Sequence, residues 1–287
     1  MENANDILEI FAYDSLELCP KNELDNCDYI VVAIGEHWGL SGEVHSSINI
    51  ELDKSQQQLI RDVKKMNKPY SCVCFSGRPL ALQDVIDDIP SLLWCWYGGT
   101  QSGAAVAELL LGKDTPSGKL TMSFPRYSVQ APIHYNEYSS GRPASNGAYG
   151  SYGSRYQDCG VGPLFYFGHG LTYTNAEYSE FKISSETITK DQDVTVSFQI
   201  ENPSQHDYSE IVILYIQDVA SKFVRPTHEM KKYKLVSVPT GQTVAVELPL
   251  SLDDLYYLNG KLQKTIEFGQ FKIFINDLKE SIFTIEY

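Results

Sequence analysis

One short run in this chain gathers residues able to do acid–base chemistry on a polar ligand: Gly35-Glu36-His37-Trp38-Gly39-Leu40-Ser41-Gly42-Glu43. Glu43 offers a carboxyl group, Trp38 an aromatic face, and His37 and Ser41 hydrogen-bonding groups. A carboxyl beside an aromatic ring is an arrangement that favours the protonated form, and hence proton donation to a leaving oxygen. The run follows Tyr29-Ile30-Val31-Val32-Ala33-Ile34, an apolar stretch that reads as a buried strand. Glu43 is therefore expected on a loop beyond a strand end, where α/β proteins meet their ligands. Taken alone, the motif is better read as an ordinary solvated glutamate, because a lone Glu on a loop carries little information.

Other chemistries fit less well. His37 and His45 flank Glu43, but that spacing on a loop matches no standard metal template, so neither a metal nor a cofactor is expected. Gly98-Gly99-Thr100 lacks the lysine of a phosphate-binding loop, and close backbone packing accounts for its glycines. No Gly-x-Ser-x-Gly elbow occurs, which argues against a serine hydrolase. Cys72 and Cys74 alternate on a predicted strand and face opposite sides, a poor metal site. Cys19 and Cys27 pair only in an oxidising compartment, a condition that spacing does not reveal.

The elements that must position Glu43 form two contrasting halves. In the first, strands are predicted from Asp28 to Ile34, Pro69 to Phe75 and Ser91 to Trp96. Helical spacing covers Ser55 to Met66, with Leu59, Ile60, Val63 and Met66 on one face, and Ala104 to Leu111, which stops at Gly112. Ala81 to Ile86 reads as a further short helix. Such alternation with near-continuous apolar strands predicts a parallel sheet. Trp94 and Trp96, at alternate positions, are expected on one side of the third strand, where they pack or line a sugar subsite.

From Tyr127 to Gly170 the chain becomes rich in Gly, Ser, Tyr and Asn. Tyr135, Tyr138, Tyr149, Tyr152 and Tyr156 read as packing between domains, with a sugar platform as the sharper alternative. Arg142 and Arg155 read as loop ion pairs or as donors to sugar hydroxyls. Beyond this, period-two alternation marks strands at Val194–Ile200, Ile211–Ile216, Val244–Leu248, Gly269–Ile275 and Ser281–Ile285. Turn signals at Asn202-Pro203-Ser204, Pro239-Thr240-Gly241 and Asn259-Gly260 separate them, the pattern of an immunoglobulin-like β-sandwich.

The chain has 287 residues, enough for about two domains. Its formal net charge is -14, with no cluster of Lys and Arg, which excludes a phosphate-tracking nucleic-acid surface. No apolar run reaches the ~20 residues of a membrane span. The N-terminal residues show no basic region followed by an apolar stretch, so no secretory signal is expected.

An ordered set of motifs carries a resemblance that covers nearly the whole chain. It comprises Val31-Val32-Ala33-Ile34-Gly35-Glu36, Ser41-Gly42-Glu43, Ser76-Gly77-Arg78-Pro79-Leu80 and Trp96-Tyr97-Gly98-Gly99-Thr100-Gln101-Ser102-Gly103. Pro116-Ser117-Gly118-Lys119-Leu120, Phe124-Pro125 and Phe167-Gly168-His169-Gly170-Leu171-Thr172-Tyr173-Thr174 follow, then Gln217-Asp218-Val219 with Arg225-Pro226. In this order they resemble the C-terminal part of glycoside hydrolase family 3 enzymes of the bacterial β-glucosidase/β-xylosidase type.

The resemblance implies an α/β sandwich over residues 1–133, incomplete at its start, an interdomain segment over 134–174 and a fibronectin type III-like domain over 175–287. It implies a retaining β-glycosidase that releases terminal β-linked glucose or xylose, with Glu43 as acid/base. Trp38, His37 and Ser41 are then candidate substrate contacts, and Glu36 is the structural runner-up. The nucleophile of such enzymes is an aspartate on an N-terminal barrel, in a Ser-Asp-Trp-like triplet absent here. The chain is thus expected to be inactive alone and to need that barrel, in cis or as a separate chain. Its relatives are often periplasmic or secreted. Where they carry an Arg soon after the glutamate, this chain has Val44-His45-Ser46-Ser47-Ile48-Asn49. A missing first strand and helix would leave a sheet edge uncovered and favour self-association. The alternative is a non-catalytic module that binds carbohydrate or protein.

Overall fold

A computed structural model describes residues 10–142, 153–189 and 192–276, with the backbone of 283–286. The chain forms two compact units, Met1–Gly98 and Gly99–Tyr287.

The first unit holds a helix α1 (Lys21–Asn26) and a parallel sheet of three strands, β1 (Ile30–Gly35), β2 (Tyr70–Phe75) and β3 (Leu92–Trp94), in that spatial order. Register pairs Ile34 with Cys74 and Cys74 with Trp94, so the three strands reach their C-terminal ends together. β2 is central, and Tyr70 to Cys74 are all buried, which fits a sequence of apolar and small residues, the two thiols and Ser71 among them. β1 is an edge strand, with Val32 and Ile34 buried and Val31 half exposed.

Between β1 and β2 runs helix α2 (Lys54–Lys64). Asp53 caps it, accepting the Ser55 N–H at 2.8 Å, and its buried stripe is Gln57, Ile60 and Val63. Burying an Ile or Val in this way stabilises by about 1.5–3 kcal/mol each.

Two expectations fail here. Residues 81–86 are not a helix: Ala81 bridges Glu51, and a turn leads into a 3₁₀ turn at Ile86–Asp88. Four buried apolar residues in six, Leu80 to Val85, reflect a loop packed into the core, not a helical stripe. The third strand also ends at Trp94, because Trp96 takes a left-handed backbone with φ 52°. The Trp94 and Trp96 rings meet edge to face, 5.8 Å apart, and do not stand side by side as on a strand.

The second unit begins with helix α3 (Ser102–Leu110), which ends before Gly112 in the left-handed region at φ 65°. Its main body is a sandwich of two antiparallel sheets. One has the order β4 (Glu177–Ile183), β5 (Val194–Glu201), β8 (Thr243–Leu250). The other has the order β12 (Phe283–Glu286), β11 (Gln270–Ile275), β6 (Tyr208–Asp218), β7 (Glu229–Val238). Inward residues at period two build the core: Val194, Val196, Phe198 and Ile200 face Leu214, Ile216, Phe271 and Ile273 in one buried cluster. A two-strand hairpin, β9 (Tyr257–Leu258) and β10 (Lys264–Thr265), carries the predicted Asn259-Gly260 turn.

β6 is buried on both faces from Val212 to Ile216. Its outer residue Tyr215 meets Tyr135, 6.0 Å between ring centroids, and Tyr135 stacks on Phe167 at 4.4 Å. The Pro116–Leu120 and Phe167–Gly170 motifs bind to one another through the backbone. Leu120 donates to the His169 carbonyl (2.8 Å), Gly168 donates to the Leu120 carbonyl (2.7 Å), and the Lys119 ammonium donates to the Gly170 carbonyl (2.7 Å). Gly170 cannot carry a side chain, since a Cβ there would overlap the Gly118 carbonyl. Tyr135 is thus a packing residue, whereas Tyr138 is exposed; Tyr149 and Tyr152 lie outside the described residues.

Candidate active-site loop

β1 ends at Gly35, whose φ of 133° and lack of a side chain let the Phe75 carbonyl approach; a Cβ would overlap that oxygen. The chain then leaves the sheet edge as a loop from Glu36 to Asn49. Trp38–Leu40 forms a 3₁₀ turn capped by His37, whose Nδ1 accepts the Gly39 N–H at 3.1 Å. That bond puts the proton of the neutral imidazole on Nε2. The Trp38 and His37 rings lie 5.1 Å apart, and Trp38 is 77 % exposed.

Glu43 follows as an exposed residue at the tip of a tight turn, closed by the His45 N–H donating to the Gly42 carbonyl at 3.3 Å. Gly42 (φ 111°) and Val44 (φ 60°) flank it in left-handed conformations. A β-branched residue there is strained by on the order of 1–3 kcal/mol and persists only where its surroundings dictate it. Val44 is also 95 % exposed and Ile48 98 %, so this apolar loop face packs on nothing among the described residues.

What holds the loop is a cluster that sequence reasoning left without a role. Arg78, just past β2, places Nε 3.0 Å from Glu36 Oε2, with both side chains less than a fifth exposed. Its Nη2 donates to the carbonyls of Leu40 and His45, the latter at 3.1 Å. Buried Ser76 sits with Oγ 3.0 Å from Glu36 Oε2 and accepts the Arg78 N–H at 3.2 Å. Gly77 completes the fit: a Cβ there would overlap Ser41 Oγ and come within 2.8 Å of the Tyr97 ring. The Tyr97 hydroxyl in turn donates to the Glu36 carbonyl at 3.4 Å.

Of the predicted site residues, the structure puts Glu43, Trp38, His37 and Ser41 on this one loop, with Ser41 half-buried against Gly77 and the other three exposed or at the loop surface. Glu36 is the anchored carboxylate and Glu43 the exposed one. The signal for Arg78 was present in Ser76-Gly77-Arg78-Pro79, but nothing in the sequence shows that its guanidinium crosses to a loop more than thirty residues away.

The chain is thus a parallel α/β unit with an acidic loop past its strand ends, followed in sequence by a fibronectin-like sandwich. The glycosyl hydrolase family 3 C-terminal domain matches residues 18–173 and the fibronectin type III-like domain residues 210–278. The chain belongs to glycosyl hydrolase family 3.

It is 35% identical over 248 residues to the periplasmic beta-glucosidase of Salmonella typhimurium, covering 86% of this chain and 32% of that protein. It is 34% identical to a beta-xylosidase of Formosa agariphila, covering 91% of this chain and 36% of that protein. The chain thus spans about a third of the length of these curated relatives. Among solved structures, the beta-glucosidase of Listeria innocua in complex with glucose superposes with a TM-score of 0.86 at 33% identity, over 93% of this chain and 37% of that one. A mutant of the same enzyme in complex with laminaribiose gives a TM-score of 0.87 at 31% identity, over 97% of this chain and 40% of that one.

Proposed function

We propose that this chain supplies the acid/base residue, Glu43, of a retaining β-glycosidase acting on terminal β-linked glucose or xylose. The observation that carries the reading is the exposure of Glu43 on a structured loop at the C-terminal end of a parallel sheet. The glucose- and laminaribiose-bound Listeria innocua structures support a β-glucoside as substrate. In the first step Glu43 protonates the glycosidic oxygen while a partner carboxylate attacks the anomeric carbon. In the second, ionised Glu43 takes a proton from the water that releases the sugar. The partner is an aspartate about 5–5.5 Å away, contributed by a family 3 barrel in cis or as a separate chain.

Trp38 offers a ring on which a pyranose face stacks, and His37 Nε2–H and Ser41 Oγ offer hydrogen bonds to its hydroxyls. In this reading residues 1–133 carry the chemistry, 134–174 join the domains and 175–287 brace the assembly. Without the barrel the chain is inert, and its exposed β1 edge and the Trp38, Val44 and Ile48 face promote self-association.

The test is reconstitution with a family 3 barrel and an assay on cellobiose. Glu43→Gln should lower turnover of the disaccharide by about 10²–10⁴-fold, the usual weight of a positioned general acid. An aryl β-glucoside with a good leaving group should suffer far less in its glycosylation step. Undiminished cellobiose hydrolysis by Glu43→Gln would remove the assignment. Sugar binding without turnover in the assembled protein would favour the carbohydrate-binding module instead.

A further inference from the structure

The geometry assigns Arg78 the role of a positioning residue that sets where Glu43 presents its carboxyl; the inference rests on the reading of Glu43 as acid/base. Three observations converge on it. First, the two carbonyls that Arg78 Nη2 holds, those of Leu40 and His45, bracket the Ser41-Gly42-Glu43-Val44 turn on both sides. A guanidinium is a planar fork of donors in fixed relative directions, so one side chain fixes the separation of the two loop ends.

Second, the fork is itself immobilised. Its Nε is committed to Glu36 Oε2 at 3.0 Å, in a pair only 18% and 13% exposed, and Ser76 Oγ lies 3.0 Å from the same oxygen. Glu36 is tied to the sheet by its N–H donating to the Phe75 carbonyl at 2.9 Å. The chain of contacts runs from the sheet to Glu36, to Arg78, to the loop carbonyls and thus to Glu43. Third, the turn holds a valine at φ 60°, a conformation it does not choose unaided. The apolar side chains of the loop, Val44 and Ile48, are exposed and contribute no packing that would impose it. The bonds on either side of the turn do.

No arginine follows Glu43 for several residues here, and the arginine that reaches the loop comes from just past the end of β2. The same contacts give Glu36 a function through Arg78: an acceptor that keeps the guanidinium oriented.

A displaced general acid costs most when the leaving group needs its proton. In the chain reconstituted with a family 3 barrel, Arg78→Ala should therefore lower kcat/KM for cellobiose by about 10²-fold, the scale of a roughly 1 Å misplacement. For 2,4-dinitrophenyl β-glucoside, whose leaving group needs no proton, the loss should stay within about threefold on the same criterion. Arg78→Lys keeps the charge but not the fork, and should lose most of the disaccharide activity too. In a Glu43→Gln background, Arg78→Ala should add almost nothing, since the group it positions is already gone.

Amide exchange of this chain supplies a readout independent of turnover. Arg78→Lys and Glu36→Gln should speed exchange across residues 39–46 while β5 and β6 stay protected. These variants also stand in should Arg78→Ala not fold. If Glu43→Gln retains cellobiose hydrolysis, the acid/base reading fails. If Glu43→Gln loses it but Arg78→Ala and Arg78→Lys cut both substrates equally, or add their full loss to Glu43→Gln, then Glu43 is the acid and the positioning role of Arg78 is overturned. Unchanged exchange at 39–46 in both Arg78→Lys and Glu36→Gln overturns it as well.

Discussion

The Gln56 side-chain amide closes a two-point bridge to Gly35: its Oε1 accepts the Gly35 N–H at 2.7 Å and its Nε2 donates to the Gly35 carbonyl at 2.8 Å. Gly35 is the last residue of β1, which pairs with β2 alone among the described residues, and the loop carrying Glu43 departs one residue later. A side chain from α2 therefore completes the sheet at the point from which Glu43 is hung.

Gln56→Ala should leave both Gly35 groups without this partner and destabilise the first unit by about 1–3 kcal/mol. Gln56→Glu is the sharper test. An ionised carboxylate still accepts from the N–H but cannot donate to the carbonyl, so it should restore only part of the loss at neutral pH and more of it once protonated at low pH. Urea denaturation of the three proteins at two pH values measures this; equal stability of all three would mean the bridge carries no weight.

In the second unit, Arg225 pairs with Asp218 at 3.1 Å and with Glu229 at 2.7 Å, and its own side chain is only 4% exposed. It also donates to the Leu255 carbonyl, and its guanidinium lies 5.3 Å from the Tyr257 ring centroid and 5.7 Å from that of Phe271. Removing one member of such a buried cluster strands the others. Arg225→Ala should cost the sandwich about 3–5 kcal/mol. A melt followed by tyrosine fluorescence should show the drop, while an Asp218→Asn/Arg225→Met double variant should recover part of it. Full additivity of the two changes would contradict a coupled cluster.

The buried thiols make a pH prediction. Burial pushes Cys72 and Cys95 up to about 11, and Cys74 higher still, with the neighbouring Cys95, Cys72 and Glu36 adding to the shift. In the unfolded chain a thiol ionises near pH 8.5. Above that pH the unfolded state binds fewer protons than the folded one, so stability is full below about pH 8.5 and declines as pH rises toward 11. Melting temperature should fall between pH 8.5 and 10.5, and Cys72→Ala should shallow the slope. At pH 8, Cys72 and Cys74 should resist a thiol reagent until the protein is unfolded; rapid labelling of either would contradict the packing of β2.

Much of this molecule was legible in its residues, for identifiable reasons. The apolar and small residues of β2 announce a strand buried on both faces, and the strict alternation of Val194 to Ile200 announces one face of a sandwich. β7 escaped because its Lys231, Lys232 and Lys234 hide the period-two pattern: Val236 and Val238 are its buried residues, and the rest of the strand is partly or fully solvated. β4 escaped because a register shift between Ser179 and Lys182, with Glu180 at φ 53°, breaks its alternation. The loop with Glu43 was readable as a strand-end loop, since Ile34-Gly35 ends an apolar run. Its anchoring was not, because Arg78, Ser76 and Gln56 reach it through the fold and not through the chain.

The central claim is that Glu43 moves the proton in both chemical steps, and a nucleophile that needs no deprotonation tests it most directly. Azide is such a nucleophile. In the chain reconstituted with a family 3 barrel, Glu43→Ala acting on 2,4-dinitrophenyl β-glucoside should stall after glycosylation. Added azide should raise turnover at least tenfold and yield β-glucosyl azide, with no such effect on the unsubstituted protein. Turnover by Glu43→Ala equal to that of the unsubstituted protein, with no glucosyl azide formed, would contradict the account.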